Sequence, residues 1–326
     1  MKNIQADIKS GNFKQVYLLY GEEAYLKQQY KQNLVKALNP DGDTMNFNHY
    51  EGKGIDVKQL IDLCETMPFF AERRVVLLED TGFFKNKCEE LADYMKELPD
   101  YLYLVFAETE VDKRNRMYKA VKACGSIAEF IRQDEKTLMR WAAGILGKAG
   151  KKITQRDMEL LLTKTGTDMG NLRMEMEKLI SYTEGRDVVT AEDIEEICTT
   201  QTTNRIFDMV RAVTEKNQKR ALELYYDLLT LKEPPMRILF LLAKQYRQLL
   251  LAKQFAAAGL AQTEIASKLG VPGFVVRNIT TCARAYTISE LEQAVKDFVD
   301  AEESVKTGRL EDKLSVELLI IKYSSK

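Results

Sequence analysis

Val16-Tyr17-Leu18-Leu19-Tyr20-Gly21-Glu22-Glu23-Ala24-Tyr25-Leu26-Lys27 reads as an apolar strand that stops at a glycine and runs into a helix. The strand residues show no alternation of polar and apolar side chains, so this strand is expected to be covered on both faces. The helix is expected from about Glu22 to Leu38. The same order repeats downstream. Met45 to Tyr50 reads as a weaker strand, followed by a helix ending near Met67, and Val75 to Leu78 is a second strong strand. A helix from about Asn86 to Leu98, the strand Tyr101 to Phe106, a helix from Met117 to Ala123 and a short strand Ser126 to Phe130 complete the series. Continuous apolar strands separated by helices predict a parallel sheet covered on both faces.

After about Lys136 the strand signals stop. Thr137 to Lys148, Thr154 to Thr165, Asp168 to Thr183 and Thr190 to Cys198 read as short helices, punctuated by Gly150, Gly166 and Gly185. In the last of these, Thr190 stands three residues before Asp193, a capping-box arrangement. From Asn204 the helices lengthen. Pro234-Pro235 opens one reaching about Ala258, and another spans Ser289 to Lys306. The expected organisation is a multidomain α/β plus α chain: an α/β domain over 1–137, a small helical domain over 138–204 and an all-helical domain over 205–326.

Composition narrows the chemistry. The chain has 326 residues, of which 30% are charged and 45% hydrophobic, a globular balance. It shows no apolar run long enough to cross a bilayer and no signal-peptide core in Met1-Lys2-Asn3-Ile4-Gln5, so a cytoplasmic protein is expected. The five cysteines (Cys64, Cys88, Cys124, Cys198, Cys282) form no CxxC pair and read as reduced thiols. His49 is the single histidine, which excludes histidine triads and zincin-type metal sites. Net charge is -1. Residues 205–326 carry 19 Lys+Arg against 15 Asp+Glu, whereas 1–137 carry 20 against 23. The last third therefore permits phosphate contacts without demanding them.

A parallel α/β domain followed by a small helical domain and a helical C-terminal domain is the layout of AAA+ machines. Their phosphate loop, GxxxxGK[ST], belongs after the first strand. Here that place holds Gly21-Glu22-Glu23-Ala24-Tyr25-Leu26-Lys27, without the second glycine or the Gly-Lys-Ser/Thr. Glu22 and Glu23 suit a helix N-terminus and would repel a triphosphate. Val75-Val76-Leu77-Leu78-Glu79-Asp80 resembles a Walker B strand, but without a phosphate loop it has nothing to hold magnesium against. A Ser-Arg-Cys motif is absent. Arg114 and Arg116 follow the Tyr101–Phe106 strand where sensor residues would sit, with no evident catalytic duty. The scaffold reads as retained and the catalysis as lost, so no cofactor and no metal are expected.

Met67-Pro68-Phe69-Phe70-Ala71-Glu72-Arg73-Arg74 poses a burial problem. Adjacent side chains at a helix exit point in different directions, so one buried face does not take both rings. Burying a ring is worth roughly 1.5–3 kcal/mol. Either the fold covers the pair or a partner does.

Several separated stretches, in order along nearly the whole chain, carry a resemblance. They are Val16–Leu26, Pro68–Val76, Gly166-Thr167-Asp168-Met169-Gly170-Asn171-Leu172 with Glu175, Lys178 and Leu179, Asn204–Asp208, Leu242–Leu250, and Lys306-Thr307-Gly308. Together they make the chain resemble the delta subunit of the bacterial DNA polymerase III clamp loader. That resemblance implies a degenerate AAA+ module with a RecA-like parallel sheet, a helical lid and a helical collar. It implies a non-catalytic subunit that binds the sliding clamp (the beta subunit) and holds one ring interface open. The loader ATPases and delta-prime-like subunits would assemble with it through the collar, and contact with primer-template DNA within the complex is left open. It also assigns clamp contact to Phe69 and Phe70, with Met67 beside them and Arg73 as a support. The polymerase activity (DNA-directed DNA polymerase) would belong to the holoenzyme, since no paired metal-binding carboxylates in a polymerase layout are visible.

Two readings compete. One is an active AAA+ ATPase with an atypical nucleotide site. The other is a helix-turn-helix DNA-binding regulator, suggested by Gln262 to Asn278 with its Glu-Ile-Ala-x-x-Leu-Gly-Val core. Its second helix offers Phe274, Val275 and Val276 with only Arg277 and Asn278 polar, which suits packing better than base reading. Lys151-Lys152 and Arg73-Arg74 are read as solvated basic pairs, and Trp141, Met174, Met176 and Leu179 as core.

Overall fold

The computed structural model describes residues 2–199 and 202–325, without the side chains of Lys2, Thr202, Thr203, Asn204 and Phe274. The described chain divides into two compact units, 1–133 and 134–326.

The first unit contains, in order, α1 (Lys2–Ser10), β1 (Val16–Tyr20), α2 (Ala24–Leu38), β2 (Phe47–Glu51), α3 (Val57–Glu65), β3 (Arg74–Glu79), α4 (Glu89–Tyr94), β4 (Leu102–Glu108), α5 (Arg116–Cys124) and β5 (Ser126–Glu129). The strands form one five-stranded sheet in the order β2-β3-β4-β1-β5, with every neighbouring pair parallel. Alternate residues of the central strands feed two cores, as a period of two requires. Val16, Leu18, Tyr20, Val76, Leu78, Leu104 and Phe106 pack with Leu60, Cys64, Leu91, Met117 and Val121 from α3, α4 and α5. Tyr17, Leu19, Val75, Leu77 and Val105 pack with Ile4, Leu34 and Leu38 from α1 and α2. The expected sheet covered on both faces is thus the observed one.

The second unit contains α6 (Glu135–Lys148), β6 (Lys152–Ile153), α7 (Gln155–Thr165), α8 (Met169–Tyr182), β7 (Val188–Val189), α9 (Ala191–Ile197), α10 (Thr202–Thr214), α11 (Gln218–Thr230), α12 (Pro235–Ala257), α13 (Gln262–Leu269), α14 (Gly273–Ala283), α15 (Ile288–Lys306) and α16 (Asp312–Ser324). It has two cores. One joins Leu146, Leu161, Leu172, Met176 and Ile194. The other joins Ile206, Tyr225, Leu242, Tyr246, Ile279, Phe298 and Leu319. The expected division between 204 and 205 falls inside α10, a few residues after 200 and 201, which lie outside the described residues. The capping box read at Thr190 and Asp193 is present. Pro235 occupies the first turn of α12, where its missing N–H costs nothing.

The structure differs from the sequence reading in a few elements. An additional helix, α1, lies against the sheet through Ile4. Strand β6 pairs in parallel with β7 after the point where strand signals stop. Helix α4 is shorter than Asn86–Leu98: residues 83–85 form a turn in which the N–H groups of Lys85 and Asn86 donate to Gly82 O (3.1 and 2.9 Å), and the loop before it is held by Glu108. The buried Glu108 carboxylate accepts from Thr81 N–H (3.1 Å), Thr81 O–H (2.5 Å) and Gly82 N–H (3.4 Å). Met174 is exposed rather than core, because it stands two residues from buried Met176 on α8 and so faces the opposite side. Trp141 is half-buried against the first of the second unit's two cores. Among the described residues no helix is long and apolar enough to cross a membrane.

Candidate functional site

Helix α3 starts on Asp56, whose carboxylate accepts from the N–H groups of Lys58 and Gln59. It ends at Glu65, so Met67 lies beyond the helix, where the following Pro68 disfavours helical backbone. The carbonyls left open at this end find side-chain partners, as a helix terminus requires. Tyr101 O–H donates to Glu65 O (2.8 Å), and Arg74 donates from Nε to Thr66 O (2.8 Å) and from Nη2 to Met67 O (3.3 Å). Arg74 also donates from Nη1 to Asn48 Oδ1 (3.1 Å). The guanidinium is buried at the start of β3 and spends its donors on the loop before it.

The second anchor comes from the loop before β2. Asn46 is 3% exposed, and its side-chain amide spans the backbone of Phe69. Phe69 N–H donates to Asn46 Oδ1 (2.6 Å), and Asn46 Nδ2 donates to Phe69 O (2.8 Å). Asn46 Nδ2 also reaches Asp43 Oδ2 (2.5 Å), and the Asp43 carboxylate accepts from Met45 N–H (2.8 Å). The Asn46 side chain, then the Met45 N–H, hold the Asp43 carboxyl below the usual carboxylate range.

The loop so pinned turns its apolar side chains outward. Met67 is 75% exposed, Phe69 57% and Phe70 95%. The two rings meet edge to face at 4.4 Å between centroids. Phe70 has φ +50°, a left-handed conformation that a residue with a Cβ adopts at a cost. Arg73 lies differently. Its guanidinium sits 5.2 Å from the Phe13 ring and 5.4 Å from the Tyr103 ring, so it braces the loop's exit against the domain. The fold therefore brings Met67, Phe69 and Phe70 together at the surface and sets Arg73 behind them. Asn46 carries no signal of its own in the sequence, Arg74 reads there as half of a solvated basic pair but is buried, and Met45 reads into the weaker strand but stands before β2. Met45, 65% exposed, immediately precedes Asn46.

This surface precedes β2 and β3 and so lies at the N-terminal edge of the parallel sheet. The turn after β1 lies at the C-terminal edge, where α/β sheets bind their ligands. A strand of five or six residues separates the two edges by about 15–20 Å. At that turn Gly21 has φ +123°, and a Cβ there would stand 2.3 Å from Phe130 O. Phe130 N–H donates to Tyr20 O (2.7 Å), and Glu23 N–H donates back to Phe130 O (3.0 Å). The amide of Glu23, the residue that caps α2, thus points at protein backbone. Glu79 contacts Lys31 (2.6 Å) and His49 (2.9 Å), and Asp80 Oδ1 accepts from Thr109 N–H (2.9 Å). Arg114 pairs with Asp112 (3.0 Å) and Arg116 with Asp93 (2.7 Å).

The Gln262–Asn278 segment does form two helices joined through left-handed Gly270. Ile265, Val276 and Ile279 are buried in the larger helical core, Val275 packs against both cores of this unit, and Arg277 lies 3.7 Å from Glu159. The Phe274 side chain lies outside the described residues.

Comparison with known proteins agrees with this architecture. Residues 17–130 match the family model described as DNA polymerase III, delta subunit, and residues 203–323 match DNA polymerase III delta subunit, C-terminal domain. The chain is 26% identical to a DNA polymerase III subunit delta from Bacillus subtilis, over 98% of this chain and 95% of that one. It is 22% identical to a probable DNA polymerase III subunit delta from Aquifex aeolicus, over 78% and 75%. A solved Bacillus subtilis DNA clamp loader delta protein superposes with a TM-score of 0.67 at 24% identity, over 99% of both chains. With family models matching both the sheet domain and the C-terminal helices, the chain belongs to the DNA polymerase III delta-subunit family.

Proposed function

We propose that this chain acts without catalysis, by binding the replicative sliding clamp through Met67, Phe69 and Phe70 and holding one interface of the ring open. The observation that carries this reading is an apolar tip anchored from behind by Asn46 and Arg74. Contiguous exposed apolar side chains on a fixed backbone are what a partner-docking hot spot requires. Arg73 acts as a brace for this loop rather than as the contact itself. The closure of the post-β1 turn by Phe130 favours this reading over an atypical ATPase. The packing of α14 favours it over a helix-turn-helix regulator.

The three-part division (1–137, 138–204 and 205–326) gives each part a task. The first docks the clamp, the second links, and the third assembles with the loader ATPases and delta-prime-like subunits. Any contact with primer-template DNA within the complex runs through phosphates and weakens with salt.

A ligand shifts an equilibrium only by its differential affinity for the two states. The chain therefore binds an interface-weakened clamp monomer more tightly than a ring locked shut by disulfides. Equal affinities for the two would remove the ring-opening role. Titration of the isolated chain with a fluorescent ATP analogue separates the competing enzyme, because tight saturable binding would favour the ATPase.

A further inference from the structure

Among the described residues of 1–133 the exposed large apolar side chains are Met45, Met67, Phe69, Phe70 and Ile131. All but Ile131 stand on two loops at one edge of the sheet, 39–46 and 66–73. Those loops are tied to each other by the amide of Asn46, whose own neighbour in sequence is Met45. Adjacent Cα atoms are about 3.8 Å apart, so Met45 is carried beside the Phe69 backbone by the same bond pair that fixes Phe69. The Met45 N–H is in turn fixed on Asp43. The Met45 side chain is left 65% exposed, although the two anchors make its backbone well defined.

The charges on the same loops are mostly acidic, three carboxylates against one guanidinium. They are Asp41, Asp43, Glu72 and Arg73. Asp41 and Glu72 are exposed, whereas Arg73 is turned onto Phe13 and Tyr103. Glu65, exposed at the end of α3, adds a further carboxylate beside Met67. The apolar tip is therefore bordered by acid.

We infer that the docking surface spans both loops, with Met45 as a further anchor, and that it fits an apolar pocket bordered by basic side chains on the clamp. This rests on the clamp-docking reading above and adds to it a second loop and a charge pattern. The apolar residues supply contact area and lower the dissociation rate. The acidic border speeds encounter with a basic rim and makes association salt-sensitive.

The test uses the full chain and the purified clamp of the same cell, with association and dissociation followed across a salt series. Met45→Ala is expected to weaken binding about tenfold, the share of one buried methionine. Asp41→Lys with Glu72→Lys is expected to slow association at low salt about tenfold and to flatten its salt dependence. Circular dichroism confirms that each variant is folded, and Phe69→Ala with Phe70→Ala serves as the control for the underlying reading. If that control loses binding while Met45→Ala or the charge reversal leaves the kinetics unchanged, the two-loop acidic surface is wrong and the docking reading stands. If the control itself binds normally, the docking reading fails and this inference with it. Sedimentation of the wild-type chain as a dimer that Met45→Ala dissociates would show that a second copy covers the patch, and would overturn the proposal.

Discussion

The side-chain amide of Asn46 holds both polar backbone atoms of Phe69, accepting from its N–H at 2.6 Å and donating to its carbonyl at 2.8 Å. In effect it extends the pairing of the sheet by one side chain, because Val75 N–H donates to the Asn46 carbonyl on the other side (2.9 Å). Asn46→Ala removes both bonds and is expected to destabilise the fold by about 1–3 kcal/mol. Because the loop is then free to wander, clamp affinity falls as well. Asn46→Asp keeps the acceptor but sets a buried carboxylate oxygen against the Asp43 carboxylate and the Phe69 carbonyl, so it is expected to be at least as destabilising as Asn46→Ala. Thermal unfolding and clamp titration on the three proteins check the order.

Phe70 gives a cleaner separation of folding from docking. Its left-handed backbone costs about 1 kcal/mol for a residue with a Cβ, part of which glycine returns through its freer unfolded chain. Phe70→Gly is therefore expected to be at least as stable as Phe70→Ala. Both variants lose clamp affinity alike, since both lack the ring. Thermal denaturation and binding measured side by side distinguish the two effects.

The adjacent arginines are expected to behave as different residues. Arg74 is buried, with its donors on Thr66, Met67 and Asn48, so Arg74→Ala should cost about 2–4 kcal/mol and Arg74→Lys should rescue only part. Arg73 contributes two cation–π contacts, each worth about 0.5–1 kcal/mol at a half-exposed site. Denaturant unfolding of the two alanine variants should show the larger loss at position 74.

Asp43 sets the acid limit of the loop. Hydrogen bonding to Asn46 lowers its folded pKa below the unfolded value of about 3.9. The link is therefore fully present above that value and is lost as pH falls through the lower, folded pKa. The Phe69 amide chemical shift is expected to stay constant from about pH 8 to about pH 5. It should move only in stronger acid, and movement near neutrality would contradict the assignment.

Much of the sheet domain was legible because buried parallel strands write themselves as unbroken apolar runs: Val16–Tyr20, Val75–Leu78 and Tyr101–Phe106 needed no partner to be recognised. The short α1 carries few apolar residues, and each two-residue strand of the β6–β7 pair is too brief to show a period. The aromatic pair was legible as a burial problem, since a proline breaks the helix just before it. What the chain does not reveal locally is the support. Asn46 lies 23 residues before Phe69 in a weak strand signal, and Arg74 looks like half of a solvated basic pair until the fold places it under the loop. Both act through contacts across the sheet edge, which no periodicity records. The exposure of Met45 is hidden for the same reason, because it follows from the position of its neighbour.

The most direct measurement is the clamp affinity of the chain carrying Phe69→Ala and Phe70→Ala together, by isothermal titration calorimetry, with the melting temperature recorded on the same sample. Phe69 is 57% and Phe70 95% exposed, and Asn46 holds Phe69 through its backbone, so the melting temperature should change little. Loss of a central hot spot worth about 2 kcal/mol or more predicts an affinity at least about thirtyfold weaker. An unchanged affinity in a folded double variant would contradict the account.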